Sequence, residues 1–284
     1  MIFKKLLWCK FSLFLSIYKI IQNIKNRPKL LNEKIVKKNI SEDSESCLII
    51  SLADVHLDKL AVYEEVEEHS SIEKTKEKVM DMVVSLVSRG YKMAPFSKII
   101  LVGGHDFFNS DYGNDHRTHK GTKVDTIGNW QESFREGLDL MTDIIDYCNS
   151  YAPVTYYNII GNHSPIKETH LAIALQAYYR QSEDIFIDTD YKTRKFFTYG
   201  NSSFFLFHGE NLNIKDLPLI WATEKPQDFV NKFHYCLAGH LHHKKEYFFL
   251  GTKEHRGVEV KFMPSLSVTD KYHFEMVMQP NKLL

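Results

Sequence analysis

Short apolar runs alternate with longer amphipathic segments along most of this chain, which is the pattern of strands that alternate with helices. Continuous apolar runs predict buried strands at 47–52, 98–102, within 153–160, 203–207 and 235–238. Apolar residues at helical spacing predict helices over about 72–88, 130–148 and 169–180. Residues 257–262 alternate between apolar and polar, as a half-exposed strand does. The pattern therefore predicts an α/β domain.

The first 45 residues differ from the rest of the chain. Residues 1–26 are apolar but are interrupted by lysines, so the longest charge-free run extends only from Phe11 to Tyr18. A spanning helix needs about 20 apolar residues, so we expect a helix that packs on the domain or on a partner, or a basic helix at a membrane surface. Residues 27–46 are polar and charged and predict a linker. The predicted organisation is an N-terminal helix and linker over 1–45 and one domain over 46–284.

Composition narrows the class of protein. The 284 residues include 36 basic and 36 acidic side chains, and this neutral balance excludes a generic basic nucleic-acid coat but leaves room for a local basic groove. The four cysteines are scattered without a C-x-x-C pair, which indicates reduced thiols in a cytoplasmic protein rather than a zinc knuckle or a disulfide framework. The 14 histidines favour metal sites built from nitrogen and oxygen ligands.

Polar residues that can bind metals follow directly after each of the five predicted apolar strands. They are Asp54 and His56, His105 and Asp106, Asn162 and His163, His208, and His240 and His242. Glycine usually stands beside them, and it allows the backbone to turn sharply or to approach a ligand closely. Ligand sites of open α/β sheets lie beyond the carboxyl ends of the strands, so we expect these five loops to converge on one site.

The ordered series D-x-H, G-(x)-D, G-N-H, H-G and G-H-x-H resembles the calcineurin-like metallophosphoesterase superfamily. Further segments resemble its phage-type branch, usually described as DNA repair exonucleases and related to the nuclease subunit of SbcCD-type repair complexes. These segments are 105–111, 129–134, 170–180, 222–226 and 263–270. The resemblance covers about residues 47–275. It implies a β-sandwich flanked by helices on both faces, with a dimetal site at the carboxyl ends of the strands.

The resemblance also implies seven metal ligands and one catalytic histidine. The implied ligands are Asp54, His56 and His242 for the first metal, Asp106 as the bridge, and Asn162, His208 and His240 for the second metal. His163 matches the histidine that faces the scissile phosphate without binding a metal. Nitrogen and carboxylate ligands suit Mn, Fe or Zn, and we expect two divalent ions, with Mn favoured and Mg as a further alternative.

Elementary chemistry supports these roles. Two cations about 3.5–4 Å apart need a bridging carboxylate, because its two oxygens serve both ions and offset their repulsion. The pKa of a water between such ions is pulled towards neutrality, which supplies a hydroxide for in-line attack on phosphate. His163 could then protonate the leaving oxygen or stabilise its charge.

Two positions depart from the usual motifs. His105 is inserted before Asp106 in the bridging motif, and its role stays open between a contact with the ligands, a contact with substrate and simple filling. Ser164 follows His163 where many relatives carry an acidic residue that orients and charges the histidine. We therefore expect either a less efficient acid at His163 or another carboxylate in its place.

The polar loop over 109–128 is long enough to be a binding loop. Candidate substrate contacts are His105 and, in this loop, His116, Arg117, His119 and Lys120. The basic side chains among them could contact the phosphate backbone of a nucleic acid, whereas a mobile, solvated loop is the alternative interpretation.

The leading functional prediction is a dimetal phosphodiesterase, an exonuclease-like enzyme that acts on DNA in the cytoplasm, or in the host cytoplasm if phage-encoded. Duplex recognition would then depend on loops, on a homodimer or on an ATPase-type partner subunit. Two alternatives stay open. One is a hydrolase of nucleotide or lipid pyrophosphates that the N-terminal helix attaches to the membrane surface. The other is a non-catalytic, metal-binding scaffold.

Overall fold

The computed structural model describes residues 46–63, 70–113, 115–210, 213–240 and 252–267. The helix and linker predicted for residues 1–45 lie outside these ranges, and so does His242. Among the described residues, no helix combines the length and the apolar character that crossing a bilayer requires.

The first sheet contains four parallel strands in the order β1-β2-β3-β4. The strands are β1 (Cys47–Ser51), β2 (Lys98–Gly104), β3 (Val154–Ile159) and β4 (Ile185–Asp188). Three helices connect them, namely α1 (Ile72–Met93), α2 (Trp130–Asn149) and α3 (Pro165–Tyr179). Parallel neighbours require such crossovers, and they bring the carboxyl ends of the strands to one edge of the sheet.

Local sequence explains where the first two helices begin. The side chain of Ser71 accepts a hydrogen bond from the Lys74 N–H, and that of Asn129 accepts one from the Glu132 N–H. Each thereby satisfies a backbone donor that the first turn of a helix leaves without a partner. The buried stripe of α1 includes Val79, Val83 and Val87 and belongs to the core under the first sheet.

The second sheet contains five strands in the order β5-β6-β7-β9-β8. The strands are β5 (Arg194–Tyr199), β6 (Ser202–Phe207), β7 (Phe233–Ala238), β8 (Thr252–His255) and β9 (Val258–Phe262). Strands β6, β7 and β9 are parallel to one another, whereas β5 and β8 are antiparallel to their neighbours. Two short helices, α4 (Leu217–Glu224) and α5 (Pro226–Asn231), precede β7, and the buried Trp221 of α4 packs in a cluster with Phe205.

The two sheets pack face to face. Val102 and Ile159 of the first sheet share one apolar cluster with Phe197, Leu206 and Leu237 of the second. The helices cover the outer faces, with α1–α3 on the first sheet and α4 on the second. The predicted α/β class is therefore confirmed, with one parallel and one mixed sheet flanked by helices. This packing brings the ends of β1–β3 close to the ends of β6 and β7.

Candidate metal centre

The loops after β1 and β2 continue side by side beyond the strands. The Asp54 N–H donates to the His105 carbonyl at 2.7 Å, and the His56 N–H donates to the Asp106 carbonyl at 3.0 Å. At the next strand, the His105 N–H donates to the Ile159 carbonyl at 2.6 Å. Main-chain hydrogen bonds therefore position the backbone of these candidate ligands without any contribution from their side chains.

Left-handed backbone is concentrated at these loops. The φ angles of Asp54, His56, His105, Asp106 and His240 are 50°, 45°, 51°, 62° and 66°. Such angles are uncommon outside glycine, although Asp and His tolerate them better than most residues. Conformations of this kind persist where surrounding structure enforces them, and they cluster at functional sites.

Asp106 occupies the middle of the cluster and is fully buried. Its Oδ1 accepts the His163 N–H at 2.7 Å, and its Oδ2 lies 3.0 Å from Nε2 of His208. Gly161 allows this close approach, because a Cβ at that position would lie 2.0 Å from Asp106 Oδ1. One carboxylate therefore contacts loops from both sheets.

Four possible metal-ligand atoms lie close together at Asp106: Oδ2 of Asp106, Oδ1 of Asn162, Nε2 of His208 and Nδ1 of His240. Nε2 of His208 lies 2.9 Å from Oδ1 of Asn162 and 3.1 Å from Nδ1 of His240, in addition to its contact with Asp106. One ring nitrogen has either one N–H or one lone pair, so it cannot form three hydrogen bonds at once. Ligands bound at about 2.1 Å to one octahedral cation lie about 3 Å from their neighbours, so these spacings fit a shared divalent metal.

A second group of possible ligand atoms comes from His56, Asp106 and His163, and these atoms all lie within 4.8 Å of one another. The rings of His56 and His163 meet edge to face at 4.6 Å. The structure therefore places His163, implied to face a phosphate, in the same group of possible ligand atoms as His56. His242, the remaining ligand implied for the first metal, lies outside the described residues.

Asp54 lies beside both groups and belongs to neither set of clustered donor atoms among the described residues. Its Oδ2 accepts the backbone N–H of His240 at 2.8 Å, and its main-chain carbonyl accepts the Ser265 hydroxyl at 3.1 Å. Gly239 leaves room for this contact, because a Cβ there would lie 2.9 Å from Asp54 Oδ2. Asp54 thus joins the first sheet to the loop after β7.

Burial and neighbouring charges shift the protonation of these groups. Burial by itself would lower the pKa of His208, but the Asp106 and Asp54 carboxylates outweigh it and raise the pKa to about 9. Burial raises the pKa of Asp54 to about 7, and the charge of Asp106 adds to this effect. Burial, with the charge of His208, lowers the pKa of His240, which keeps this imidazole neutral as metal ligation requires.

His105 lies behind the ligands. Its side chain is fully buried, and its ring centroid is 5.9 Å from that of His208. Neither ring nitrogen has a hydrogen-bond partner among the described residues, and burial lowers the pKa of His105 to about 3. The His105 ring therefore lies inside the site, and its predicted contact with substrate stays a prediction.

The orientation of His163 depends on a backbone carbonyl. Nδ1 of His163 lies 2.8 Å from the carbonyl oxygen of Asn109 and donates to it, which leaves Nε2 as the reactive nitrogen. Asn109 is itself held by its N–H, which donates to Asp58 Oδ1 at 2.7 Å. The Ser164 hydroxyl donates to the Phe108 carbonyl at 3.1 Å and to Glu168 Oε1 at 3.3 Å, and among the described residues it makes no hydrogen bond to the ring.

Sequence reasoning missed Glu168, Asp58 and Asp111 as supports of the site. Asp111 accepts the N–H groups of Ile166 and Lys167 and so caps α3, which Ser164 does not do. Only Glu168 carries a signal in the sequence. It stands four residues after Ser164, so one helical turn places it beneath the position where an acidic residue was expected.

The candidate substrate contacts in the loop over 109–128 occupy different places. His116 is half-buried against Thr126, and Arg117 pairs with Asp115.

His119 and Lys120 lie nearer to the site. The His119 N–H donates to the His163 carbonyl at 2.9 Å, and Lys120 pairs with Glu210, two residues after His208. This part of the loop is therefore bonded to the segment after β3, through His163, and to the segment after β6, through Glu210.

A search with models of known protein families finds none that matches this chain, and a search of curated proteins finds no match either. The interpretation of the site therefore depends on its own chemistry. Two groups of nitrogen and oxygen donors share the buried carboxylate of Asp106, and this arrangement is suited to holding divalent cations.

Proposed function

We propose that the protein is a dimetal-dependent phosphodiesterase of calcineurin-like fold that acts on DNA, in the manner of an exonuclease. The observation that carries the proposal is the position of Asp106, whose carboxylate is shared by the His56–His163 group and the His208–His240 group. A carboxylate between two sets of ligands is what a pair of divalent cations requires. The resemblance to calcineurin-like phosphoesterases supports the same conclusion.

The candidate ligands would form two cation sites. Asp106, Asn162, His208 and His240 would hold one cation, and Asp106, His56 and Asp54, with His242, would hold the other. Bound there, the two cations supply Lewis-acid activation of water and of the phosphoryl group.

His163 would act on the leaving group. Its Nδ1–H is held by the Asn109 carbonyl, so a proton at Nε2 can be given to the leaving oxygen. No covalent bond between enzyme and substrate is needed.

The loop over 109–128 supports a polymeric phosphate substrate. His119 and Lys120 are more than half exposed at the side chain, and the loop that carries them is attached to the His163 backbone. Basic side chains beside a hydrolytic site are suited to phosphates that flank the scissile one. A homodimer or an ATPase-type partner that would extend this surface stays a prediction.

The test is hydrolysis by the purified full chain with Mn²⁺ of a bis-aryl phosphate diester, an aryl phosphate monoester, linear double-stranded DNA and a nucleotide pyrophosphate. We expect cleavage of the diester and of DNA, and loss of both activities in Asp106→Asn. Asp188→Asn, which alters a carboxylate paired with Lys195 instead, serves as the matched control and keeps them. Cleavage of the monoester or the pyrophosphate alone would overturn the nuclease assignment. Binding of Mn²⁺ without any hydrolysis would favour the scaffold.

A further inference from the structure

A fully buried carboxyl group that belongs to neither group of possible metal ligands among the described residues lies beneath the ligand loops. Glu168 is in the first turns of α3 and is 0% exposed. Its Oε1 accepts the Phe107 N–H at 2.7 Å, and its Oε2 accepts the Gly161 N–H at 2.7 Å. The Ser164 hydroxyl adds a longer hydrogen bond of 3.3 Å to Oε1.

The two N–H groups belong to different ligand loops. Phe107 directly follows Asp106, and Gly161 directly precedes Asn162. Each oxygen of one carboxylate therefore holds one of the two loops, in addition to the main-chain bond from His105 to Ile159. Because Glu168 is on a helix, its own position is fixed by the packing of α3 rather than by the loops.

The burial of Glu168 requires an explanation. Transfer of a carboxylate into an apolar interior is unfavourable unless its oxygens are well hydrogen-bonded. Among the residues that the structure describes, no basic side chain forms an ion pair with Glu168; the nearby Lys167 lies instead against Asp58, at 3.5 Å. The two backbone N–H groups are thus its principal partners. Without the Glu168 side chain, the buried N–H groups of Phe107 and Gly161 would lose the acceptors that they have in this structure.

We propose that Glu168 is the positioning residue of the candidate metal centre. By binding the Phe107 and Gly161 N–H groups together, it fixes the separation of Asp106 from Asn162. It thereby takes the place of an acidic side chain after His163, through the backbone of the loops and not through the imidazole ring. This inference deepens the proposed function and depends on the same metal site.

The substitutions that test it are Glu168→Gln and Glu168→Asp. Glutamine keeps the shape but presents an NH₂ group to one of the two N–H donors, so only one loop stays bound. Aspartate keeps the carboxyl group but is one methylene shorter, so it also fails to reach both loops. Leu175→Ala, a fully buried change on the same helix, is the control for lost stability without a lost loop contact.

Two properties of the full-length protein are measured: Mn²⁺ affinity by titration calorimetry and the electron paramagnetic resonance spectrum at saturating Mn²⁺. Wild type is expected to bind two ions and to show a spin-coupled pair. Loss of such a supporting contact typically weakens metal affinity about 10–100-fold. We expect metal affinity to fall by this factor in both Glu168 variants, and their spectra to show uncoupled Mn²⁺. Leu175→Ala should keep wild-type affinity and coupling despite a lower Tm.

The outcomes separate the two proposals. If wild type binds no Mn²⁺, the metal centre and the function proposed for it are wrong. If wild type binds a coupled pair and either folded Glu168 variant does so with equal affinity, only the role of Glu168 is wrong. If Glu168→Gln does not fold, Glu168→Asp is decisive. If neither variant folds, Glu168 serves folding and not the metal centre, and the inference is overturned.

Discussion

Replacing Asp106 by Asn gives the sharpest test of a shared metal ligand. The change preserves the shape of the side chain and one oxygen that can accept the His163 N–H, but it removes the negative charge between the two groups of donors. A neutral amide cannot offset the repulsion of two adjacent cations. We therefore expect Asp106→Asn to lose the tight binding of both ions.

The magnitude follows from linkage between binding and folding. At a free Mn²⁺ concentration 100 times Kd, each occupied site stabilises the folded chain by about 2.7 kcal/mol. Two sites contribute about 5 kcal/mol, which raises the Tm of a domain of this size by about 10–20 °C. The expected rise in Asp106→Asn is under about 5 °C, the effect of one weakened site.

The assay is thermal unfolding by circular dichroism, with each variant compared with and without Mn²⁺. The rise in Tm on adding Mn²⁺ is insensitive to any loss of stability in the metal-free state, such as the loss of the ion pair between Asp106 and His208. Asp188→Asn should keep the full rise, because its partner Lys195 lies elsewhere. An equal rise in Asp106→Asn and wild type would refute the assignment of Asp106 as the shared ligand.

Three further predictions concern single groups of the site. His163→Asn should keep both metals while turnover falls about 10²–10⁴-fold, the usual contribution of a general acid, and unchanged turnover would remove its role. Gly161→Ala would place a Cβ 2.4 Å from the backbone nitrogen of Asp106, so we expect the loop to shift and metal analysis to show fewer than two ions bound. The pKa of His208 is raised from 6.5 to about 9 in the folded state, so protonated His208 stabilises the metal-free protein fully below pH 6.5. This contribution is lost as the pH rises through 9. Tm in the presence of a chelator should accordingly fall over this range, and it should fall less in His208→Asn.

The periodicity of the sequence predicted the elements that carry the site. The apolar runs before Asp54, Asp106, Asn162, His208 and His240 all form strands. Helices predicted at 72–88 and 130–148 are observed at Ile72–Met93 and Trp130–Asn149.

The helix predicted at 169–180 begins earlier, at Pro165. It does so because Asp111, distant in sequence, caps it through the Ile166 and Lys167 N–H groups. Proline at the first helical position also has no N–H to satisfy.

Other elements were not predicted. Strand β4 has only four residues and β5 begins with Arg194 and Lys195, so neither presents a clear apolar run. Lys195 is nevertheless buried, because it pairs with Asp188 on β4. Helices α4 and α5 have eight and six residues, too few for a period to be recognised.

The sequence by itself determined the class of fold and the kinds of donor atom in the site. Alternation of apolar and polar residues acts over a few positions, and so does the placement of Asp, Asn and His directly after a strand. Only the tertiary structure decided which donors share Asp106, that Asp54 contacts the His240 backbone, and that Glu168 holds two loops from below. These contacts join residues that are far apart along the chain, and their distances are set by how two sheets and a helix pack, which no local pattern encodes.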